Sequence, residues 1–341
     1  MATKMKKVLA AALVCLFMLT MMAACGSGDD TQSQDSSSPP ENTSAANFPA
    51  ETPPSTVIPS TNPPAANTPA SNSPAETSPA SPPPANNFNS NQLISFYTRE
   101  DGSGTRDAFI SITGVGDEMS VEAITVDSTN LILTGVEANE YSIGYVSVGS
   151  LNDNVKALII NGVYPSNETI IDGTYELQRA LLVCVNEEKA GLELVQDLIA
   201  FMLSVEGQSI ASSSWTPTVD SPVVYVPSGL SGTLTVGGST SVEPLMQRLR
   251  DAYLAHNPGI EIEISGGGSG TGINQATEGI IDIGMSSRDL REGELADLTP
   301  YNIALDGVAV VVNPANPLSA LTIEQVRSIY VGEIDTWAEL N

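Results

Sequence analysis

Three stretches of the chain combine glycine with Ser and Thr hydroxyls, and each lies between a strand-like run and a helix-like run. They are DGSGTR at 101–106, GGSTS at 237–241 and GGGSGTG at 266–272. A turn followed by a helix N-cap explains any one of them, because Asp-Gly favours turns and Ser or Thr caps helices. Hydroxyls and the first N–H groups of a helix also donate hydrogen bonds to anions, and Arg99 and Arg106 flank the first loop with positive charge. Three such loops in the same context favour a site for a tetrahedral oxyanion.

Several other kinds of site lack the residues that they need. None of the three loops matches G-x-x-x-x-G-K-[ST], and GGGSGTG is out of register with G-x-G-x-x-G, so a nucleotide site is disfavoured. The single histidine, His256, precedes Asn-Pro at an apparent helix end, and no G-x-S-x-G is present, so a serine hydrolase has little support. One histidine and Cys184, which stands in an apolar run, do not make a zinc site. Carboxylate catalysis stays open, but no pairing stands out among the many acidic residues, and we predict a protein that is not an enzyme and that needs no cofactor or metal.

The N-terminus has the features of an export signal. Three lysines within the first seven residues precede an apolar run over 8–22, and Cys25 follows Ala-Ala. This order is typical of a signal peptide, which we assign to residues 1–24. The sequence before Cys25 resembles the lipobox of bacterial lipoproteins, with Met22 where leucine is commoner, and it predicts acylation of Cys25 and a lipid anchor on the extracytoplasmic face of the cell membrane. An ordinary secretory signal with an incidental cysteine is the alternative.

Residues 25–90 are predicted to form a tether rather than a folded domain. Positions 29–90 hold 14 of the 23 prolines, interleaved with Ser, Thr, Asn and Ala, and contain no Lys or Arg. Such a composition cannot bury enough apolar surface to offset the entropy of ordering, so the segment is expected to be disordered.

The charge of the chain restricts its partners. The sequence has 13 Lys and Arg against 40 Asp and Glu, a formal net charge of −27 at pH 7. Nucleic-acid binding depends on basic patches, so nucleic acid is disfavoured as a partner. An anion would have to be held by local hydrogen bonds against an unfavourable overall field.

Strand-like and helix-like runs alternate through residues 91–341. The run RALLVCVN at 179–186 is typical of a strand that is buried on both faces. Apolar residues at helical spacing predict one helix with a core-facing stripe; they are Leu194, Leu198, Phe201, Met202 and Val205. The alternation predicts an α/β fold with mostly parallel sheets, in which ligands bind beyond the carboxyl ends of the strands.

Six segments resemble motifs of a known family, the phosphate-binding proteins of bacterial phosphate ABC importers. They are VGGSTSVEPLM, GGGSGTGINQ, DIGMSSRDL, ALDGVAVVVN, VRSIYVGEIDTWAEL and SFYTREDGSGTRDAF, and together they extend over nearly all of residues 91–341. The resemblance implies a two-lobed periplasmic-binding-protein-like (type II) α/β fold with mixed, mostly parallel sheets and a ligand cleft between the lobes. By motif match it also implies that phosphate is bound by Arg99, Ser103, Gly104, Thr105, Thr240, Ser241, Ser269 and Ser287.

One position departs from the family's motif. Many relatives carry Asp at the position of Ser287, where the carboxylate accepts the proton of bound monohydrogen phosphate. Sulfate has no such proton, so that carboxylate rejects it. In this chain either Ser287 itself accepts the proton or Asp289 reaches the ligand, and the basis of selectivity for phosphate over sulfate stays open. Arg288 is either a second positive donor or a surface residue.

The two halves of the body follow each other in the reverse of the family's order. Residues 91–227 resemble its second half and 232–341 its first, so the chain is either a circular permutant or a fragment of a tandem repeat. We favour the permutant, because neither motif set is duplicated and chain ends in an exposed loop tolerate permutation. A permutant would have one continuous lobe over 179–313 and one split lobe made of 91–178 and 314–341.

These expectations combine into one functional prediction. The chain is expected to be a lipid-anchored, extracytoplasmic, monomeric solute-binding protein that delivers inorganic phosphate to the membrane permease of an ABC importer. The alternatives are another oxyanion as ligand (sulfate, molybdate or a phosphonate) and a sensor or adhesion lipoprotein that has kept the fold without the ligand. A secreted phosphatase or esterase that uses Ser103 is disfavoured, because no suitable base accompanies that serine.

Overall fold

The computed structural model describes residues 87–340. The helices are α1 (Gly104–Thr113), α2 (Thr129–Ala138), α3 (Asn167–Ile171), α4 (Glu187–Ala190), α5 (Glu193–Met202), α6 (Val205–Ala211), α7 (Glu243–His256), α8 (Ser269–Thr277) and α9 (Ile323–Tyr330). The strands are β1 (Ser95–Arg99), β2 (Ile124–Val126), β3 (Ser142–Ser147), β4 (Lys156–Ala157), β5 (Ile159–Ile160), β6 (Gln178–Asn186), β7 (Gly232–Gly238), β8 (Ile260–Gly266), β9 (Ile283–Ser286), β10 (Leu298–Val312) and β11 (Ala320–Leu321). The predicted signal peptide, Cys25 and most of the Pro-rich segment lie outside these residues. Within 87–340, none of the helices has the length and apolar character needed to cross a bilayer.

One large sheet organises the fold. Its strands follow the order β2-β1-β3-β10-β6-β9-β7-β8, and β4 joins it by pairing with β10. The pairs β1–β2, β1–β3, β7–β8 and β7–β9 are parallel, whereas β6 and β10 run antiparallel to each other and to their other neighbours. A separate parallel pair joins β5 and β11. The expected α/β architecture with mixed sheets is confirmed, and parallel pairs are the slight majority among the described strands.

The first hydrophobic core, called core 1 here, packs on both faces of β1, β3 and the second part of β10. Val308, Val310 and Val312 belong to a cluster with α1 and α9, whereas Ala309 and Val311 belong to a cluster with α2. Successive side chains of a strand point to opposite faces of the sheet. Because helices cover both faces, the strand is apolar at every position rather than at alternate ones.

The second hydrophobic core, called core 2, surrounds β6, β7, β9 and the first part of β10. Leu181 and Val183 pack with α5, α6 and α7, and Leu182 and Cys184 pack on the other face with α8. Cys184 is fully buried, as predicted for a small apolar side chain, and burial raises the pKa of its thiol to about 12. A thiol in this state is inert at neutral pH.

Strand β10 passes from one core to the other. Residues 298–307 pair with β6, and residues 308–312 pair with β3. The buried residues of core 1 fall between Ile94 and Leu177 and again from Val308 to Leu340, while those of core 2 fall between Leu181 and Ala304. The chain therefore enters core 2 once, at the start of β6, and leaves it once, along β10.

The beginning and the end of the described chain lie side by side. The backbone N–H of Ala338 donates to the carbonyl of Ser90 at 2.8 Å, and that of Ile94 donates to the carbonyl of Asp335 at 2.8 Å. Leu93 and Thr336 also form an antiparallel bridge. These bonds join the first strand of core 1 to the segment that follows α9.

The prediction of a single helix from the apolar stripe at 194–205 is wrong in one respect. The structure has two helices there, because Ser204 interrupts the first and caps α6 by accepting a hydrogen bond from the backbone N–H of Gly207 at 3.2 Å. Leu198 and Phe201 lie in core 2 as expected, but Val205 is 40% exposed. The break turns Val205 away from the stripe.

Candidate functional site

The first glycine-hydroxyl loop joins β1 to α1. Ser103 is the N-cap of α1, and its side-chain oxygen accepts a hydrogen bond from the backbone N–H of Arg106 at 3.3 Å. The cap places Gly104 and Thr105 in the first turn, where backbone N–H groups have no partner within the helix. Ser103, Gly104 and Thr105 are all buried.

The second loop joins β7 to α7. Gly238 has a φ of 131°, which favours glycine, and an added Cβ would collide with the carbonyl oxygen of Met285. The next N–H, that of Ser239, donates to the same carbonyl at 3.0 Å. This tight packing against β9 fixes Thr240 and the buried Ser241 at the end of the strand.

The third loop joins β8 to α8, and it contacts the end of β9. Ser269 is the first residue of α8 and is fully buried. Its side-chain oxygen accepts a hydrogen bond from the backbone N–H of Ser287 at 3.1 Å, and the two hydroxyl oxygens are 3.3 Å apart. Ser269 and Ser287 therefore form one polar group on the side of core 2.

The three loops meet between core 1 and core 2. The hydroxyls of Thr105 and Ser241 are 2.7 Å apart, and the N–H of Gly270 donates to the carbonyl of Gly102 at 2.8 Å. A Cβ on Gly104 would lie only 2.5 Å from the hydroxyl oxygen of Ser269. The eight residues predicted to bind an oxyanion are thus brought together, with hydroxyl and N–H donors from both cores.

Arg99 is the buried cation of this group, with 2% of its surface exposed. Its Nε and Nη2 atoms donate to the two carboxylate oxygens of Glu100 at 2.8 and 2.9 Å. Nη1 donates to the hydroxyl of Thr129 at 3.3 Å, and Nη2 also reaches the carbonyl of Asp127 at 3.2 Å. The charge of Arg99 is therefore shared with a carboxylate, and the site depends on neutral donors as well.

Tyr145 holds the backbone at Arg99 in place through a hydrogen bond. Its hydroxyl lies 2.7 Å from that of Thr98 and accepts a hydrogen bond from the backbone N–H of Arg99 at 3.2 Å. Burial raises the pKa of Tyr145 to about 12, so the phenol stays neutral at physiological pH. The ring stacks on Phe109 of α1 with the centroids 3.9 Å apart, which couples the end of β1 to the helix.

The chain is similar to known proteins over most of its length. The PBP superfamily domain matches residues 80–206 and 211–341. The phosphate-binding protein PstS 2 of Streptococcus pneumoniae serotype 4 is 40% identical over 256 residues, which cover 72% of this chain and 87% of that protein. PstS 2 of Streptococcus agalactiae serotype V is 36% identical over 258 residues, 73% of this chain and 88% of that protein. A crystal structure of the phosphate-binding protein of a phosphate ABC transporter from S. pneumoniae TIGR4 superposes with a TM-score of 0.60 at 39% identity, covering 73% of this chain and 100% of that one.

The chain belongs to the PBP superfamily and to its family of phosphate-binding proteins. Membership confirms the resemblance drawn from the six sequence motifs.

The structure gives Arg288 a role other than the positive donor considered for it. Arg288 is 9% exposed, and its Nη1 and Nη2 atoms donate to the two carboxylate oxygens of Glu294, both at 2.8 Å. Its Nε lies 3.1 Å from a carboxylate oxygen of Asp107 in α1, which also receives Nη2 of Arg291 at 3.0 Å. Arg288 thus joins the loop after β9 to a helix of core 1, and Asp289 beside it is exposed.

The sequence motifs did not include Thr129, which the structure places among the predicted donors. Its hydroxyl oxygen lies 3.2 Å from that of Ser241 and 3.4 Å from that of Thr240. A signal was present, because the segment VDST at 126–129 leads from β2 to α2 with a Ser-Thr helix start. It was missed because the segment contains no glycine.

Carboxylates border a cleft that lies beside the hydroxyl donors. A cleft of about 400 Å³ is bordered by Glu100, Asp127, Glu243 and Thr240 together with main chain of the third loop. Among residues 87–340, no group of three or more His, Cys, Asp or Glu side chains is arranged to hold a metal ion.

Proposed function

We propose that this protein binds inorganic phosphate outside the cytoplasm and delivers it to the permease of a phosphate ABC importer. The observation that carries the proposal is the meeting of hydroxyl donors from both cores beside Arg99, at the ends of β1, β7 and β9. A ligand held there would contact both halves of the fold. Binding would therefore favour the closed arrangement of the two cores over an open one.

Hydrogen bonding rather than net charge is proposed to retain the anion. The chain is strongly acidic, and Glu100 shares the charge of Arg99. Buried hydroxyls and helix-start N–H groups are worth more in a water-poor site than in solvent, because the local dielectric constant is low. They also hold a tetrahedral anion without a permanent charge of their own.

The identity of the anion is tested by calorimetric titration of the purified protein with phosphate, sulfate and molybdate, after copurified phosphate has been removed by dialysis. We expect phosphate to bind most tightly. Because Ser287 replaces the carboxylate expected at its position, we also expect sulfate to be discriminated less strongly than a carboxylate site would allow. Binding of molybdate or sulfate alone would assign the site to another oxyanion.

A binding role suits the serines better than catalysis does. Ser103 is fixed as a helix cap, and the single histidine, His256, is the last residue of α7 and is exposed. The hydroxyl of Ser103 accepts a hydrogen bond from the backbone N–H of Arg106, whereas a nucleophilic serine needs a general base as its partner. Hydrolysis of a phosphate ester that is lost in Ser103→Ala would favour an enzyme instead.

We propose that Cys25 is acylated, that residues 25–90 tether the body to the outer face of the membrane, and that one chain supplies a complete site as a monomer. We also propose that the two lobes are 179–313 and the pair 91–178 with 314–341, in circularly permuted order. The hydrogen bond between Ser90 and Ala338 supports that division, and so does core 2, whose buried residues all lie within 179–313. Strand β10 already reaches core 1 from Val308 onward, so the crossing between the lobes lies inside this range.

A further inference from the structure

Thr129 occupies a central position among the donors of the site. Its hydroxyl oxygen lies within 3.4 Å of Nη1 of Arg99 and of the hydroxyls of Thr240 and Ser241. The residue is 3% exposed. It is part of α2, which packs in core 1, whereas Thr240 and Ser241 belong to the loop after β7 in core 2. Thr129 therefore stands at the boundary between the two cores.

The hydroxyl of Thr129 accepts a hydrogen bond from Arg99, and this determines which hydrogen bond it can still donate. Guanidinium nitrogens only donate, so Nη1 of Arg99 must use an oxygen lone pair of Thr129. The hydroxyl hydrogen of Thr129 is then left to be donated to an acceptor on another side. A hydroxyl that accepts from a cation is polarised and becomes a better donor.

The backbone N–H of Thr129 lies beside the same hydroxyl groups as its side chain. Thr129 is the first residue of the ten-residue helix α2, so its N–H has no partner within the helix. The N-cap residue Ser128 is occupied with the N–H of Leu131 at 3.4 Å, and the N–H of Thr129 is instead 3.4 Å from the hydroxyl oxygen of Thr240. The first turn of α2 carries no acidic side chain that would neutralise the positive end of the helix dipole.

We propose that Thr129 donates both its side-chain O–H and its backbone N–H to the bound oxyanion. This inference rests on the proposed function, and it adds α2 as a fourth element to the three glycine-hydroxyl loops. Through Thr129, the cation at Arg99 acts on the anion by polarising a neutral hydroxyl. The anion then receives donors from two helices of core 1, α1 and α2, rather than from α1 alone.

Two substitutions separate the two donors. Thr129→Val removes the hydroxyl and keeps the shape, whereas Thr129→Pro removes both the hydroxyl and the N–H. Proline is well tolerated at the first position of a helix, and the preceding Ser128 has φ −149° and ψ 157°, which suits a residue before proline. We expect phosphate affinity to fall about tenfold or more in Thr129→Val, to fall further in Thr129→Pro, and to be retained in Thr129→Ser.

Each variant has a matched control. Thr113→Val removes the hydroxyl of another buried helical threonine, which donates to the carbonyl of Phe109 at 2.6 Å. Glu193→Pro places proline at the first position of α5, which is also a ten-residue helix after an extended N-cap. Both controls should bind phosphate as the wild type does. Melting temperatures measured without phosphate show whether any variant is folded.

The outcomes distinguish this inference from the function on which it rests. If the wild type does not bind phosphate in calorimetry, the proposed function fails. If the wild type binds and folded Thr129→Val and Thr129→Pro both stay within twofold of its affinity, the direct role of Thr129 is overturned while the proposed function stands. Equal losses in Thr129→Val and Thr113→Val would also overturn it, because a general packing defect would then explain both.

Discussion

The hydroxyl of Thr105, at the start of α1, lies 2.7 Å from the hydroxyl of Ser241, before the start of α7. The two residues are 136 positions apart. Thr105 lies in α1, which packs in core 1, and Ser241 precedes α7, which packs in core 2. Their contact means that the ends of β1 and β7 face each other across one small polar space. Substitutions of residues that line this space should change ligand affinity, whereas substitutions within core 1 or core 2 should change stability.

Arg99 should matter far more for phosphate binding than Arg106. Arg99 is buried and bonded to Thr129, whereas Arg106 is paired with the exposed Asp101. Charge-assisted hydrogen bonds contribute about 1.5–3 kcal/mol, so Arg99→Ala should weaken binding by about tenfold or more, and Arg106→Ala by only a few-fold. Titration calorimetry on both variants provides the measurement. Similar losses would show that the first loop has been assigned wrongly.

Ser287→Asp should increase the preference for phosphate over sulfate. Ser287 lies against Ser269, and a Cβ on Gly104 would come within 2.8 Å of its hydroxyl oxygen, so a carboxylate there would face the proposed ligand. Monohydrogen phosphate can donate its proton to that carboxylate, but sulfate cannot. We expect the ratio of the two affinities to rise about tenfold or more. Ser287→Asn, which has the same shape without the charge, should not raise it.

The ion pairs of Arg288 should stabilise the closed arrangement without touching the ligand. Arg288 contacts Asp107 of α1 across the boundary between the cores. Asp107→Asn removes that charge but keeps the shape of the side chain, so phosphate should dissociate faster while its association rate changes little. Stopped-flow measurements of both rates at low and high salt would test this. At high salt, we expect the variant and the wild type to release phosphate at similar rates, because salt screens partly exposed ion pairs.

Glu294 should make stability depend on acid pH. The hydrogen bonds from Arg288 are the main cause that holds the pKa of Glu294 below its ordinary value of 4.5. A carboxyl group whose pKa is lower in the folded state stabilises that state above the ordinary value, and the contribution disappears as the pH falls through the lowered pKa. Glu294→Gln should therefore melt at a lower temperature than the wild type at pH 7, and the gap should narrow as the pH falls from 4.5 through the lowered pKa of Glu294. Glu292→Gln, at a neighbouring exposed position, is the control.

Cys25→Ser should release the protein from membranes. Acylation of Cys25 would anchor the chain, and serine cannot form the thioether that carries the lipid. Fractionation of cells that express each form, followed by detection of the protein in the membrane and soluble fractions, provides the readout. If the serine variant stays in the membrane fraction, the lipobox interpretation is wrong.

The sequence by itself determined the class of fold and the local parts of the site. Apolar runs predicted the strands. Glycine with Ser or Thr at the end of a strand predicted that a helix begins in each loop, as α1 and α8 do, because caps and turns depend on neighbouring residues. The sequence also predicts that the two motif sets follow each other in the reverse of the family's order. The break at Ser204 was missed, since a stripe of apolar residues continues through it.

Only the tertiary structure decided which of these parts act together. Thr129 joins Thr240 and Ser241 because β2 and α2 lie beside β1, and no local pattern encodes that neighbourhood. Likewise, Arg288 forms an ion pair with Asp107 across the boundary of the cores, and Arg99 forms one with Glu100. The positive charge of each guanidinium is therefore partly balanced by a carboxylate, which the residue type alone does not indicate. Propensity and capping act over a few residues, whereas the contacts of a buried polar group depend on how strands far apart in the chain are ordered in the sheet.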